Sequence, residues 1–98
     1  AVQAAEEAGA FCVLMECVPP DLARQATQAI RVPTIGIGAG NGCDGQVLVT
    51  NDMLGWNSGY VPKFVRQYAD LRKASAEAVA KFMQDVQSGD FPGQAESF

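Results

Sequence analysis

The chain has 98 residues, with 7 Lys and Arg against 11 Asp and Glu and a formal net charge of -4. With 48% hydrophobic residues it can bury one modest core, and it does not have the composition of a disordered tail. The acidic balance argues against a nucleic-acid partner, and no apolar run approaches the roughly 20 residues needed to cross a bilayer. No charged, apolar and small-residue signal opens the chain, so a cytoplasmic setting is the expectation.

Cys12, Cys17 and Cys43 are odd in number, form no CxxC pair and have no histidine to complete a zinc set. Buried or free thiols are the reading. The first residue is Ala1, already inside a helix-forming pattern, and we read the chain as a piece of a longer one: a single partial domain over residues 1–98.

Ala1 to Ala8 are strong helix formers, and Gly9 falls where a helix C-terminal cap is expected. Phe11 to Met15 form an uninterrupted apolar run, the pattern of a strand buried on both faces. Glu16 stands at its end, where parallel α/β proteins place their chemistry. Burial or a bound cation can tune a carboxylate there, which makes Glu16 the first candidate for a working residue. Its bland alternative is an acid paired with a lysine or capping the next helix. Glutamate seldom follows five buried apolar residues unless it is paired or used, and the functional reading comes first.

Pro19-Pro20-Asp21 suits a helix start, and Leu22, Ala26, Ala29 and Ile30 recur at helical spacing, predicting a helix from about Pro20 to Ile30. Thr34 to Gly40 reads as a second buried parallel strand, rich in glycines that allow close backbone approach. Asn41 to Gly45 is a loop, Gln46 to Thr50 a third β-type run, and Asn51 to Gly55 the loop after it. Trp56 to Val61 continues irregularly. Phe64, Tyr68, Leu71, Ser75, Val79, Phe82 and Val86 follow in steps of four and three, predicting an amphipathic helix over about 62–88 with a break allowed at Ala69–Ala74. Residues 89–98 form a loop-like tail. Three strands with unpaired edges need further strands to cover them. A (β/α)8 barrel supplies those, with an open doubly wound sheet as the structural runner-up.

Gly40-Asn41-Gly42-Cys43-Asp44-Gly45 satisfies G-x-G-x-x-G, but a β-type run follows where the dinucleotide fingerprint requires a helix N-terminus. A tight loop between two strands is the favoured role, and phosphate or carboxylate capture by its N–H groups a minor one. Asp44 and Asp52 lie near strand ends and are of the type that holds Mg²⁺, yet loop capping is the routine use of Asp there and is favoured for both. The cations of the last helix are a solvated face, and its apolar stripe is core or interface packing.

Leu14-Met15-Glu16-Cys17-Val18-Pro19, Pro33 to Gly40, Asp44 to Val49, Asp52-Met53-Leu54-Gly55, Pro62-Lys63-Phe64 and Phe91-Pro92-Gly93, in this order, resemble the ketopantoate hydroxymethyltransferase family over nearly the whole chain. The resemblance implies the C-terminal part of a (β/α)8 barrel of the phosphoenolpyruvate/pyruvate superfamily. It implies transfer of a hydroxymethyl group from 5,10-methylenetetrahydrofolate to 3-methyl-2-oxobutanoate, giving 2-dehydropantoate in pantothenate biosynthesis. It also implies Mg²⁺, whose ligands are expected in the earlier part of the family's chain, and a cytoplasmic homo-oligomer. Glu16 matches the family's general base. Proton removal next to a carbonyl coordinated to Mg²⁺ is within reach of a carboxylate. The family's tail commonly carries glutamate, histidine, serine and phenylalanine in succession, whereas Ala95-Glu96-Ser97-Phe98 lacks the histidine. The other function classes are a superfamily lyase or mutase acting on another 2-ketoacid, and an inactive truncated piece.

Overall fold

The computed structural model describes residues 1–98, which divide into two compact units, Ala1–Val49 with Pro62–Arg66, and Thr50–Val61 with Gln67–Phe98.

The first unit begins with α1 (Val2–Glu7), as its helix-forming composition predicts. It continues with β1 (Val13–Glu16), α2 (Pro20–Ala29), β2 (Thr34–Ile37) and the two-residue β3 (Gly45–Gln46). The three strands lie in the order β1-β2-β3 and both pairings are parallel. This is the α/β pattern expected of apolar strands alternating with a Pro-initiated helix. The N–H groups of Arg31 and Val32 donate to Glu6 Oε1 at 2.6 and 3.1 Å, tying α1 to the entrance of β2.

Met15, Ala23 and Ala39 form the core, with Val2, Val13, Val18, Ala26 and Cys43 packed against them. Side chains alternate across a strand, so α1 and α2 cover the face that carries Val13 and Met15. The register pairs Leu14 with Ile35 and Glu16 with Ile37, which places these four on the opposite face.

The expectation of a Phe11–Met15 strand buried on both faces is therefore corrected. The strand is Val13–Glu16, Phe11 precedes it at 87% exposure, and of the expected run only Met15 is buried. The sheet receives helices of this unit on one side only, and a parallel strand is buried on both faces only when both are covered. The second strand ends at Ile37, short of Gly40, because the chain turns at Gly38 (φ +65°). The third run is also shorter than the expected 46–50. Val47 N–H still reaches Gly36 O at 3.0 Å, but Thr50–Met53 then forms a short helix, α3, in place of strand end and loop. Polar Thr50-Asn51-Asp52 supplies a helix start, with Asp52 favourable in the first turn.

In the second unit α3 is followed by α4 (Leu71–Ser88) and a 3₁₀ turn at Gln94–Glu96. The helix expected from about residue 62 begins nine residues later. The reason lies in the backbone hydrogen bonds: the N–H groups of Tyr68, Leu71 and Arg72 donate to Met53 O, Leu54 O and Gly55 O at 2.8, 3.0 and 3.1 Å. Those carbonyls are the ones a short helix leaves without partners, and satisfying them holds the approach to α4 out of helical geometry. Asp70 caps α4, its carboxylate accepting Lys73 N–H at 3.2 Å. Asp70→Ala should lower the stability of the complete protein by about 1 kcal/mol, and Asp70→Asn by much less. Urea denaturation of the two variants checks this, and equal midpoints would show that the cap contributes nothing. The tail turns back, with Phe91 edge-on to Phe82 at a centroid distance of 5.3 Å. The α4 stripe of Val79, Phe82 and Val86 remains about half exposed.

Candidate active site

Glu16 is the last residue of β1, is solvent-exposed, and stands at the carboxyl end of a parallel strand on the face turned away from α1 and α2. The chain leaves the strand through Cys17, the one non-glycine residue with positive φ (+55°). Such a conformation is uncommon for a residue with a side chain and is found where surrounding structure fixes it. Here the fixing contact is a hydrogen bond from Cys17 N–H to Ile37 O at 3.0 Å, which closes the sheet one rung beyond Glu16.

Within this chain Glu16 pairs with no lysine and caps no helix. The N-cap of α2 is Pro19 with no side-chain hydrogen bond, and the ion pairs of the chain are Arg24–Asp21 and Lys81–Asp85. Other acids are engaged. Asp44 Oδ2 accepts Thr34 N–H at 2.8 Å and the Thr34 hydroxyl at 3.3 Å, while Asp44 N–H donates to Thr34 Oγ1 at 3.2 Å. Asp52 accepts from the Asn57 amide. Asp44 thus ties its loop to the start of β2, whereas Asp52, expected in a loop, lies in the first turn of α3 and meets a side chain. Asp44 and Asp52 do not fit a Mg²⁺ site: that ion takes oxygen ligands from converging groups, but each is engaged elsewhere and no three acidic or thiol side chains of this chain converge.

The loop after β2 is fitted to the start of α2. A Cβ on Gly40 (φ +77°) would lie 2.7 Å from Pro20 Cβ, so only glycine permits this approach. Gln46 Nε2 donates to Gly40 O at 2.8 Å and closes the loop from the other side. Gly45 leads into β3, so the chain after the G-x-G-x-x-G pattern runs parallel to β2 and presents no helix N-terminus to a pyrophosphate. Titration of the complete protein with NADH or FAD should give no saturable binding. Tight binding abolished by Gly42→Val would overturn this.

The description Ketopantoate hydroxymethyltransferase belongs to the family model that matches residues 1–94. This chain belongs to that family. Among its relatives, the 3-methyl-2-oxobutanoate hydroxymethyltransferase of Prosthecochloris aestuarii is 54% identical over 93 residues, 95% of this chain and 34% of the relative. The protein of the same name from Moorella thermoacetica is 55% identical over 92 residues, 94% of this chain and 34% of the relative. That from Enterococcus faecalis is 51% identical over 98 residues, all of this chain and 36% of the relative. The chain thus spans about a third of the length of the curated relatives it matches.

On the structure, three of the stretches that carry the ketopantoate hydroxymethyltransferase resemblance lie at ends of the parallel strands. Met15 to Pro19 is the exit from β1, Gly36 to Gly40 the exit from β2, and Asp44 to Gln46 the entry to β3. Two features escaped the sequence reading. The Thr27–Thr34–Asp44 network left only a weak signal, a threonine opening an otherwise apolar strand. The left-handed Cys17 left none, because cysteine is not a residue that favours that region.

Proposed function

We propose that the protein transfers a hydroxymethyl group from 5,10-methylenetetrahydrofolate to 3-methyl-2-oxobutanoate, giving 2-dehydropantoate in pantothenate biosynthesis, with Glu16 as general base. The observation that carries this reading is an exposed, unengaged carboxylate at the carboxyl end of a parallel strand, in a chain whose relatives bear the hydroxymethyltransferase name. Family membership favours this activity over the lyase or mutase alternatives.

The geometry lends itself to the chemistry as follows. The C3 proton of the oxoacid is acidified by the neighbouring carbonyl, and a carboxylate within hydrogen-bond reach can remove it. Glu16 takes that proton and becomes a carboxylic acid, while the C–H electron pair passes into the enolate. The enolate carbon then bonds to the methylene carbon as one of its C–N bonds to the folate breaks, and water displaces the second nitrogen, leaving the hydroxymethyl product and tetrahydrofolate. Mg²⁺ belongs to this proposal only through ligands elsewhere in the protein, and no step runs through the other acids of this chain.

A (β/α)8 barrel accommodates the unit. Helices α1 and α2 would lie outside, and the face bearing Leu14, Ile35, Glu16 and Ile37 would line the interior at the end where barrel enzymes act. No helix is long and apolar enough to cross a membrane. A cytoplasmic homo-oligomer completes the proposal, for which the exposed Val79, Phe82 and Val86 offer apolar surface.

Turnover assays with the oxoacid and 5,10-methylenetetrahydrofolate test the reading. The complete protein should release 2-dehydropantoate, and the 98-residue chain alone should release none. A complete protein without this turnover would refute the assignment, and turnover by the isolated chain would refute the placement of essential groups elsewhere.

A further inference from the structure

We propose that Phe64 is a positioning residue for Glu16; this rests on the general-base reading above. A Cβ built on Gly38 would lie 2.6 Å from Cδ2 and 3.0 Å from Cγ of Phe64, so the ring is seated directly on the Gly38 backbone. Gly38 has φ +65° and begins the turn out of β2, one residue beyond Ile37, the register partner of Glu16.

The connection to Glu16 is short and stiff. The Ile37 carbonyl belongs to the Ile37–Gly38 peptide, whose six atoms from Cα to Cα lie near one plane. That carbonyl accepts Cys17 N–H at 3.0 Å. Cys17 N–H in turn belongs to the planar unit that begins at Glu16 Cα. Two rigid peptide planes and one hydrogen bond therefore separate the ring from the carbon that carries the Glu16 side chain. A ring that holds Gly38 fixes the direction of the Ile37 carbonyl, and with it the left-handed Cys17 and the aim of the carboxylate. Without the ring, Gly38 is free to tilt, because glycine has no side chain to resist. Proton abstraction is sensitive to such a tilt, since a displacement of about 1 Å can cost about 100-fold in rate.

The test uses the complete protein with the variants Phe64→Leu, Phe64→Tyr, Gly38→Ala and Glu16→Gln. The readouts are deuterium exchange into C3 of 3-methyl-2-oxobutanoate and the separate kcat and KM of turnover, each per folded protein. Phe64→Leu should lower the exchange rate and kcat by about 10- to 100-fold with KM within about twofold, and Phe64→Tyr, which keeps the ring, should restore both. Gly38→Ala forces the same contact apart from the other side and should also lower kcat. It decides the matter should Phe64→Leu not fold. Wild-type exchange and kcat in the folded variants would reduce Phe64 to packing, and a raised KM at unchanged kcat would make it a substrate contact; either overturns the proposal alone, provided that Glu16→Gln is impaired. Wild-type exchange by Glu16→Gln would instead remove the general-base reading and this inference with it.

Discussion

Glu16→Gln in the complete protein should abolish most of the deuterium exchange into C3 of 3-methyl-2-oxobutanoate measured without folate. The amide has nearly the shape of the carboxylate and can still hydrogen-bond, but it does not accept a proton at neutral pH. General-base catalysis contributes about 10²–10⁴-fold, and that factor should disappear from the exchange rate and from kcat. Substrate affinity should change far less, because the carboxylate is exposed and α2 begins at its proline pair without a cap from it. Exchange isolates proton abstraction from carbon transfer, so the result does not depend on the folate step. Exchange at the wild-type rate would make Glu16 a structural acid.

Asp44→Ala should destabilise the complete protein by about 1–3 kcal/mol, the cost of leaving a buried donor without its acceptor. Thr34 is fully buried, and its N–H donates to Asp44 Oδ2 at 2.8 Å. The hydroxyl contacts count for less. Thr27 Oγ1 donates to Ala23 O at 2.8 Å and also lies 2.8 Å from Thr34 Oγ1, so two hydroxyl protons serve three contacts once the 3.3 Å approach of Thr34 Oγ1 to Asp44 is included. The backbone donor has no such alternative. Asp44→Asn keeps an acceptor oxygen and should recover about half of the loss. Asp21→Ala serves as control, because its ion pair with Arg24 joins side chains 92% and 49% exposed and should be worth under about 1 kcal/mol. Urea midpoints of the three variants decide the matter, and an Asp44→Ala as mild as Asp21→Ala would mean that water replaces the carboxylate.

These outcomes bear on how much could be read from residue order. The β1-α2-β2 unit was legible because its signals are local: an apolar run, a proline pair at a helix start, a second apolar run behind Pro33. Glu16 was legible for the same reason, as the first charge after that run. What was not legible depends on partners distant in the chain. Phe64 fits the helical spacing of Tyr68 and Leu71, yet it packs on Gly38 in the first unit. The N–H groups of Tyr68 and Leu71 meanwhile go to Met53 and Leu54. Periodicity reports which residues could share a helix face, and it is overridden when carbonyls from another helix end compete for the same donors. The shortened third strand has a similar cause, since Val47 and Val49 carry β propensity but only Val47 N–H finds a carbonyl on β2.

The alternation in β1 has one more consequence. Met15 is locked into the core and Glu16 points the other way only because the two are neighbours in a pleated strand. Deleting a single residue between Val13 and Met15 would leave composition and hydropathy almost unchanged, yet it would invert parity for everything upstream or downstream of the cut. Either Glu16 would be drawn beneath α2 as Met15 turned out of the core, or Val13 would leave the core face. Reactivity in this segment is thus encoded as an odd-even count along the backbone, and natural variation here should be confined to substitutions and closed to insertions and deletions of one.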